Sequence, residues 1–143
     1  MTRTSTLVCA GAALGLSLVG GAAFGAESAP PVDDPRDKIV ANGATGAVAD
    51  WWDEPWWIAL ADCAAVFRSA PEDRAKVQTF ATAAMAQVAK DRGIPLRDAG
   101  AVVMPYVTTG QGRQRAEDVI AIFGGVSEAR SRCDKVLVQY KAL

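Results

Sequence analysis

The sequence contains no histidine. That absence removes the usual general base of Ser-His and Cys-His nucleophile systems, the commonest side-chain ligand of catalytic zinc, and the axial ligand of a histidine-bound haem. Cysteine is scarce, three in 143 residues, and no Cys-x-x-Cys pair exists, which excludes covalent haem attachment and thioredoxin-type redox chemistry. A surplus of charge is missing too. With 15 basic against 16 acidic residues the chain has no electrostatic footprint for nucleic acid or for an anionic membrane surface. Nor is there an apolar run of the roughly 20 residues that a spanning helix needs. No cofactor, haem or metal is expected, and no catalytic residues are assigned.

The first quarter of the chain reads as an export signal. Arg3 supplies the basic start, Leu7 to Val19 a short apolar core, and Ala23-Phe24-Gly25 the small residues that a signal peptidase reads, with cleavage near Gly25. The apolar core runs into Gly20-Gly21 and is too short to persist as a membrane span after cleavage. Cys9 sits inside that core, too early for a lipid-modified cysteine. A signal peptide is therefore expected over residues 1–25, a flexible leader with Pro30-Pro31 over 26–33, and one helical domain over 34–143, working in the periplasm or outside the cell. Taking 25 residues from 143 leaves 118, enough for one core and too few for two. Export exposes the two remaining cysteines to an oxidising compartment, and a Cys63–Cys133 disulfide follows.

Along the mature chain the apolar pattern has helical period. Asp34-Pro35 suggests a cap and first turn of a short N-terminal helix carrying Ile39 and Val40, interrupted by Asn42-Gly43 and Gly46. Asp53 and Pro55 open a stronger helix to about Arg68, with Trp56, Leu60, Cys63 and Phe67 on its inward stripe. Ser69 and Glu72 fit a capping box. The helix after them turns Val77, Phe80, Ala81, Ala84 and Val88 inward and stops at Gly93 before Pro95. A third covers Leu96 to about Thr108, bent or ended by Pro105. Thr108 to Gly112 reads as a flexible loop, and a long last helix carries Val119, Ile122, Phe123, Val126, Arg130, Cys133, Leu137 and Tyr140 inward. Gly124-Gly125 within it means that the helix breaks there or that another backbone crosses close by, and the close crossing is the favoured reading. The fold class is all-α, a bundle of about four helices with a possible short extra one at the N-terminus, stapled by one disulfide.

Chemistry is harder to find. The pairs Asp33-Asp34, Asp53-Glu54, Glu72-Asp73 and Glu117-Asp118 are neighbours in sequence, and neighbours on a helix point about 100° apart, so they suit helix starts better than acid–base work across a cleft. Thr108 to Arg113 is glycine-rich but follows a helix and lacks the Lys-Ser/Thr pair of a phosphate loop. The unusual feature is Trp51-Trp52-Asp53-Glu54-Pro55-Trp56-Trp57, which holds all four tryptophans. With Trp56 claimed by the inward stripe, Trp51, Trp52 and Trp57 are the candidate contact residues for a protein partner in the bacterial envelope, tryptophan being enriched at binding hot spots. The alternatives are a hydrophobic staple and core lid where the leader joins the bundle, and a small-ligand or glycan binder, an indole stacking on a sugar ring beside Asp50, Asp53 or Glu54 in a pocket between helices.

Overall fold

The run Trp56–Phe67 contains one charged residue in twelve, and all twelve are buried. A helix apolar on every side has no face to offer water and must be covered all round. In the computed structural model, which describes residues 34–143, this helix, α1 (Trp56–Phe67), sits at the centre. The helices α2 (Arg74–Arg92), α3 (Leu96–Thr108), α4 (Gly110–Ile122) and α5 (Val126–Lys141) all pack against it, as does a 3-10 turn at Gly46–Trp51. The fold is all-helical, as the periodicity implies, and no named strand occurs among the described residues. The signal and leader assignments for residues 1–33 lie outside the described residues.

Cys63 of α1 and Cys133 of α5 are both fully buried and form a disulfide, with Cα atoms 5.4 Å apart. It closes a sequence separation of 70 residues and ties the outermost helix to the central one. Around it the core continues through Leu60, Phe80, Val88, Val103 and Val136. Phe67 stacks on Phe80, with ring centroids 5.6 Å apart.

Several features depart from the sequence reading; among them, Ile122 and Val126, expected to face inward, are 64% and 43% exposed. Asp34-Pro35 starts a turn, with the Asp37 amide donating to the Asp34 carbonyl, and no helix follows. Residues 38–40 instead run extended beside 53–56: Val40 N–H donates to the Glu54 carbonyl, Asp53 N–H to Val40 and Trp56 N–H to Lys38. Asp53 therefore does not cap α1; it takes a left-handed conformation, φ 66°, where the chain turns into Pro55 and Trp56. The Ser69–Glu72 capping box does not form, because Pro71–Asp73 is a separate 3-10 turn and α2 begins after it.

The remaining corrections concern glycines. Gly124 and Gly125 end α4 rather than admit a crossing backbone: their φ values are 81° and 145°, and an added Cβ would meet nothing within 4 Å at either. Gly125 N–H donates to Ile120 and Gly124 N–H to Ala121, the paired bonds that satisfy the last carbonyls of a helix. The long last helix is thus two, α4 and α5. The supposed loop 108–112 is a sharp corner with α4 beginning at Gly110. Buried Gly112 presses against the end of α3, where a Cβ would lie 2.0 Å from the Tyr106 carbonyl oxygen. Pro105 sits in the last turn of α3, which continues to Thr108.

Gly112→Ala is expected to destabilise the protein by about 3 kcal/mol or more, since backbone must move to admit the methyl group. Gly110→Ala, facing open space, should gain up to about 1 kcal/mol from helix propensity. Urea unfolding of both variants separates a packing corner from a flexible loop. Replacing both Cys63 and Cys133 by serine is expected to cost about 4 kcal/mol on the chain-entropy model, read as a lower Tm of the reduced-equivalent protein.

Candidate functional site

The turn that precedes α1 places the tryptophans. Because residues 38–40 pin 53–56 and the 3-10 turn packs on α5, Trp51 and Trp57 point inward: they are 3% and 1% exposed, and Trp56 is 5% exposed. Trp52 alone, at 49%, meets solvent. Of the expected contact residues, Trp57 and Trp51 are therefore interior and offer no exposed surface, Trp51 reaching a cleft only as part of its floor. The reason is their indole N–H groups, which find buried acceptors. Trp51 Nε1 donates to Asp62 Oδ2 at 3.0 Å and Trp57 Nε1 to Asp37 Oδ2 at 2.8 Å.

Each of those carboxylates is also held by an arginine. Arg92, at the end of α2, donates from Nε to Asp37 Oδ1 at 2.8 Å and from Nη2 to Oδ2 at 2.7 Å. Arg115 of α4 does the same to Asp62 at 2.8 and 2.9 Å, and its Nη2 reaches Glu54 Oε2 at 2.7 Å. Two Trp–Asp–Arg sets thus brace the molecule. In both, the fork of the guanidinium matches the carboxylate and the indole fills a further acceptor position. Hydrogen bonding by Asp37 raises the Arg92 pKa and hydrogen bonding by Asp62 raises that of Arg115, so both stay charged at any working pH. Asp37 and Asp62, 7% and 1% exposed, have no free face for a substrate. They are structural ions.

The second set opens onto a cleft. Its floor is Trp51, Val119, Ile122 and Phe123, and its rim is Asp50, Glu54, Asp118 and the Asp62–Arg115 pair, around a volume of about 190 Å³. Trp51 and Phe123 touch, with centroids 5.7 Å apart. Four carboxyl groups face one guanidinium here. Asp118 accepts from Gln114 at 3.0 Å, and the Asp50 carboxylate has no hydrogen-bonding or ionic partner among the described residues. Glu54 is half-buried, and its pKa is raised, first by burial and then by the Asp62 charge, against the opposing pull of Arg115. Glu54 and Asp118 come from two of the sequence pairs judged unable to face one another. Across 64 residues of chain the fold brings one member of each to the same cleft. Nothing in the sequence marked Arg115 as their companion, although Asp62, the lone charge in an apolar run, was a visible demand for one.

Among the described residues no group of three or more His, Cys, Asp or Glu is placed to hold a metal ion, and no helix is long and apolar enough to cross a membrane. The chain matches no family model, no curated protein and no solved structure, so the functional reading rests on this geometry.

Arg115→Ala would leave the buried Asp62 carboxylate with Trp51 alone. A loss of about 3 kcal/mol is expected, and Asp62→Leu combined with Arg115→Leu should recover most of it. Urea titration of the three proteins checks both. For Glu54 the sign is the reverse of a stabilising ion pair. A carboxyl whose folded pKa lies above its unfolded value binds protons better in the folded state, so stability falls as pH rises through that interval. Glu54→Gln should therefore raise Tm at pH 7, with the gain vanishing at pH values low enough to protonate Glu54 in the folded and unfolded chain alike.

Proposed function

We propose that the protein is an exported, non-enzymatic helical module that binds a protein partner in the bacterial envelope. The acid-rimmed cleft over Trp51 and Phe123 receives a lysine or arginine side chain of that partner. The observation that carries this reading is the imbalance of the cleft, with Asp50, Glu54 and Asp118 around an apolar floor and the guanidinium of Arg115 already committed to buried Asp62. Lysine and arginine bury their stems on apolar surface while the charged head reaches carboxylates, and that is the complement offered here. At about 190 Å³ the cleft lies below the roughly 300–1,000 Å³ usual for small-molecule sites and suits one side chain. Exposed Trp52 and Ile122, 49% and 64% accessible, supply apolar area around it of the kind that anchors interfaces.

The absence of catalytic work is supported by the two buried carboxylates, each already saturated by a guanidinium and an indole. Export is supported by the leader sequence and by the disulfide, which belongs to oxidising compartments. A sugar binder is less well served, because only Trp52 leaves an indole open for stacking.

Cross-linking the tagged protein in its native envelope is expected to recover one specific partner. Trp52→Ala should weaken that interaction by at least about tenfold, as hot-spot tryptophans do. Asp50→Asn with Asp118→Asn should weaken it about fivefold and reduce its salt dependence, with Tm unchanged in both. Recovery indifferent to all these substitutions would overturn the proposal.

A further inference from the structure

A second cleft lies on the other edge of α4 and has the opposite chemistry. About 360 Å³ in volume, it is walled by Ala65 and Val66 of α1, Val107 of α3, and Ala116 and Ile120 of α4. Ala65, Val66, Val107 and Ala116 are buried. Arg68 and Arg113 stand at its mouth with Ser69 and Glu117. Arg68 is held in place by donating from Nη1 to the Val107 carbonyl at 2.7 Å, and its other N–H groups have no partner among the described residues. The Arg113 guanidinium has no hydrogen-bonding or ionic partner among the described residues, although Glu117 lies one helical turn away. An adjoining cleft of about 390 Å³ shares Arg68 and Val107 and continues over Val77, Ala81, Met85 and Met104, with Arg74 at its edge. Two apolar hollows thus meet beneath one fixed arginine, with two further arginines along their mouths and one opposing carboxylate.

We propose that this surface is a binding site for a single-chain carboxylate amphiphile, a medium-chain fatty acid whose head pairs with Arg68 and Arg113 and whose tail lies over Val66, Val107 and Ile120. Apolar walls alone would accept any oily molecule, and the arginines select the anionic head. The volume falls in the ordinary range for small-ligand sites. This site shares no lining residue with the acid-rimmed cleft, so it stands or falls independently of the partner-binding reading.

The test is calorimetric titration of the oxidised, full-length mature protein with octanoate, nonanoate and decanoate below their micelle concentrations. Saturable one-to-one binding is expected, tightening about fourfold for each added CH₂ group that reaches apolar wall. Arg113→Gln, an exposed residue with no part in the fold's ion pairs, should weaken decanoate about fivefold. Glu117→Gln should strengthen it, and Arg97→Gln, on an exposed stretch of α3 away from both hollows, should change nothing. Tm and far-ultraviolet dichroism establish that each variant is folded. Decylamine binding as well as decanoate, Arg113→Gln binding as well as the parent, or no saturation by any of the three acids would each overturn the proposal. So would binding to phosphatidylglycerol vesicles without binding to free decanoate, which would make the arginines a membrane contact.

Discussion

A charge on a helix that has no solvent face must be answered where it sits, and that requirement organises this protein. α1 is buried along its whole length, and Asp62 lies in the middle of it. An unpaired carboxylate there would be far costlier than any single packing contact is favourable. Arg115 must therefore approach from α4 and Trp51 from the 3-10 turn, and those two approaches fix how the outer elements sit on the core. The cleft is a by-product of the same demand: the guanidinium that reaches in for Asp62 stays 30% exposed and pulls Glu54 in beside it. Asp37, Arg92 and Trp57 repeat the solution at the C-terminal end of α2, where Arg36 also donates to the Arg92 carbonyl at 2.9 Å and so serves the last turn of that helix.

Tryptophan is well matched to this use. It carries a large apolar surface and a single donor, so burying it is favourable only where one acceptor is available. A buried aspartate already bound by arginine on two oxygens still has acceptor capacity to spare, and the indole takes it. This explains why a dense aromatic cluster, which suggests exposure when read as a string, is three-quarters interior in the folded chain. Only Trp52, between the inward-pointing Trp51 and the left-handed Asp53, is turned out by the geometry of the corner.

Much of the helical architecture was legible because it depends on local pattern. The inward faces of α2 and α3 and the stop at Gly93, which has φ 64°, follow from spacing and from residue conformational preference, and the pairing of Cys63 with Cys133 follows from their being the two cysteines left beyond the expected export signal. The errors share a different origin. Whether Gly124-Gly125 breaks a helix or admits a neighbour depends on what lies opposite, and a glycine looks the same in both settings. Gly112 was read as flexible when it is the position where α4 meets the end of α3 most closely. Asp34 and Asp53 are good capping residues, but the extended pairing of 38–40 with 53–56 claims the backbone they would have capped. Of the site, Trp52, Glu54 and Asp118 were visible as residue types, whereas Arg115 and Asp62 meet only across 53 positions of chain.

The electrostatics of the acid-rimmed cleft follow from this architecture as well. Glu54 holds its proton more tightly than an ordinary carboxyl because it is half-buried beside Asp62, and Arg115, already committed on two sides to Asp62, offsets only part of that cost. An incoming ammonium or guanidinium supplies what Arg115 cannot, favouring the ionised form of Glu54. On the proposed reading, occupation by a cation would displace any proton Glu54 still carries, and affinity would rise with pH through the range in which Glu54 titrates. A neutral or anionic occupant gains nothing by that route. The selectivity for positive charge that we propose for the cleft would thus originate in the burial of Asp62, because the same guanidinium cannot neutralise the helix interior and the rim together.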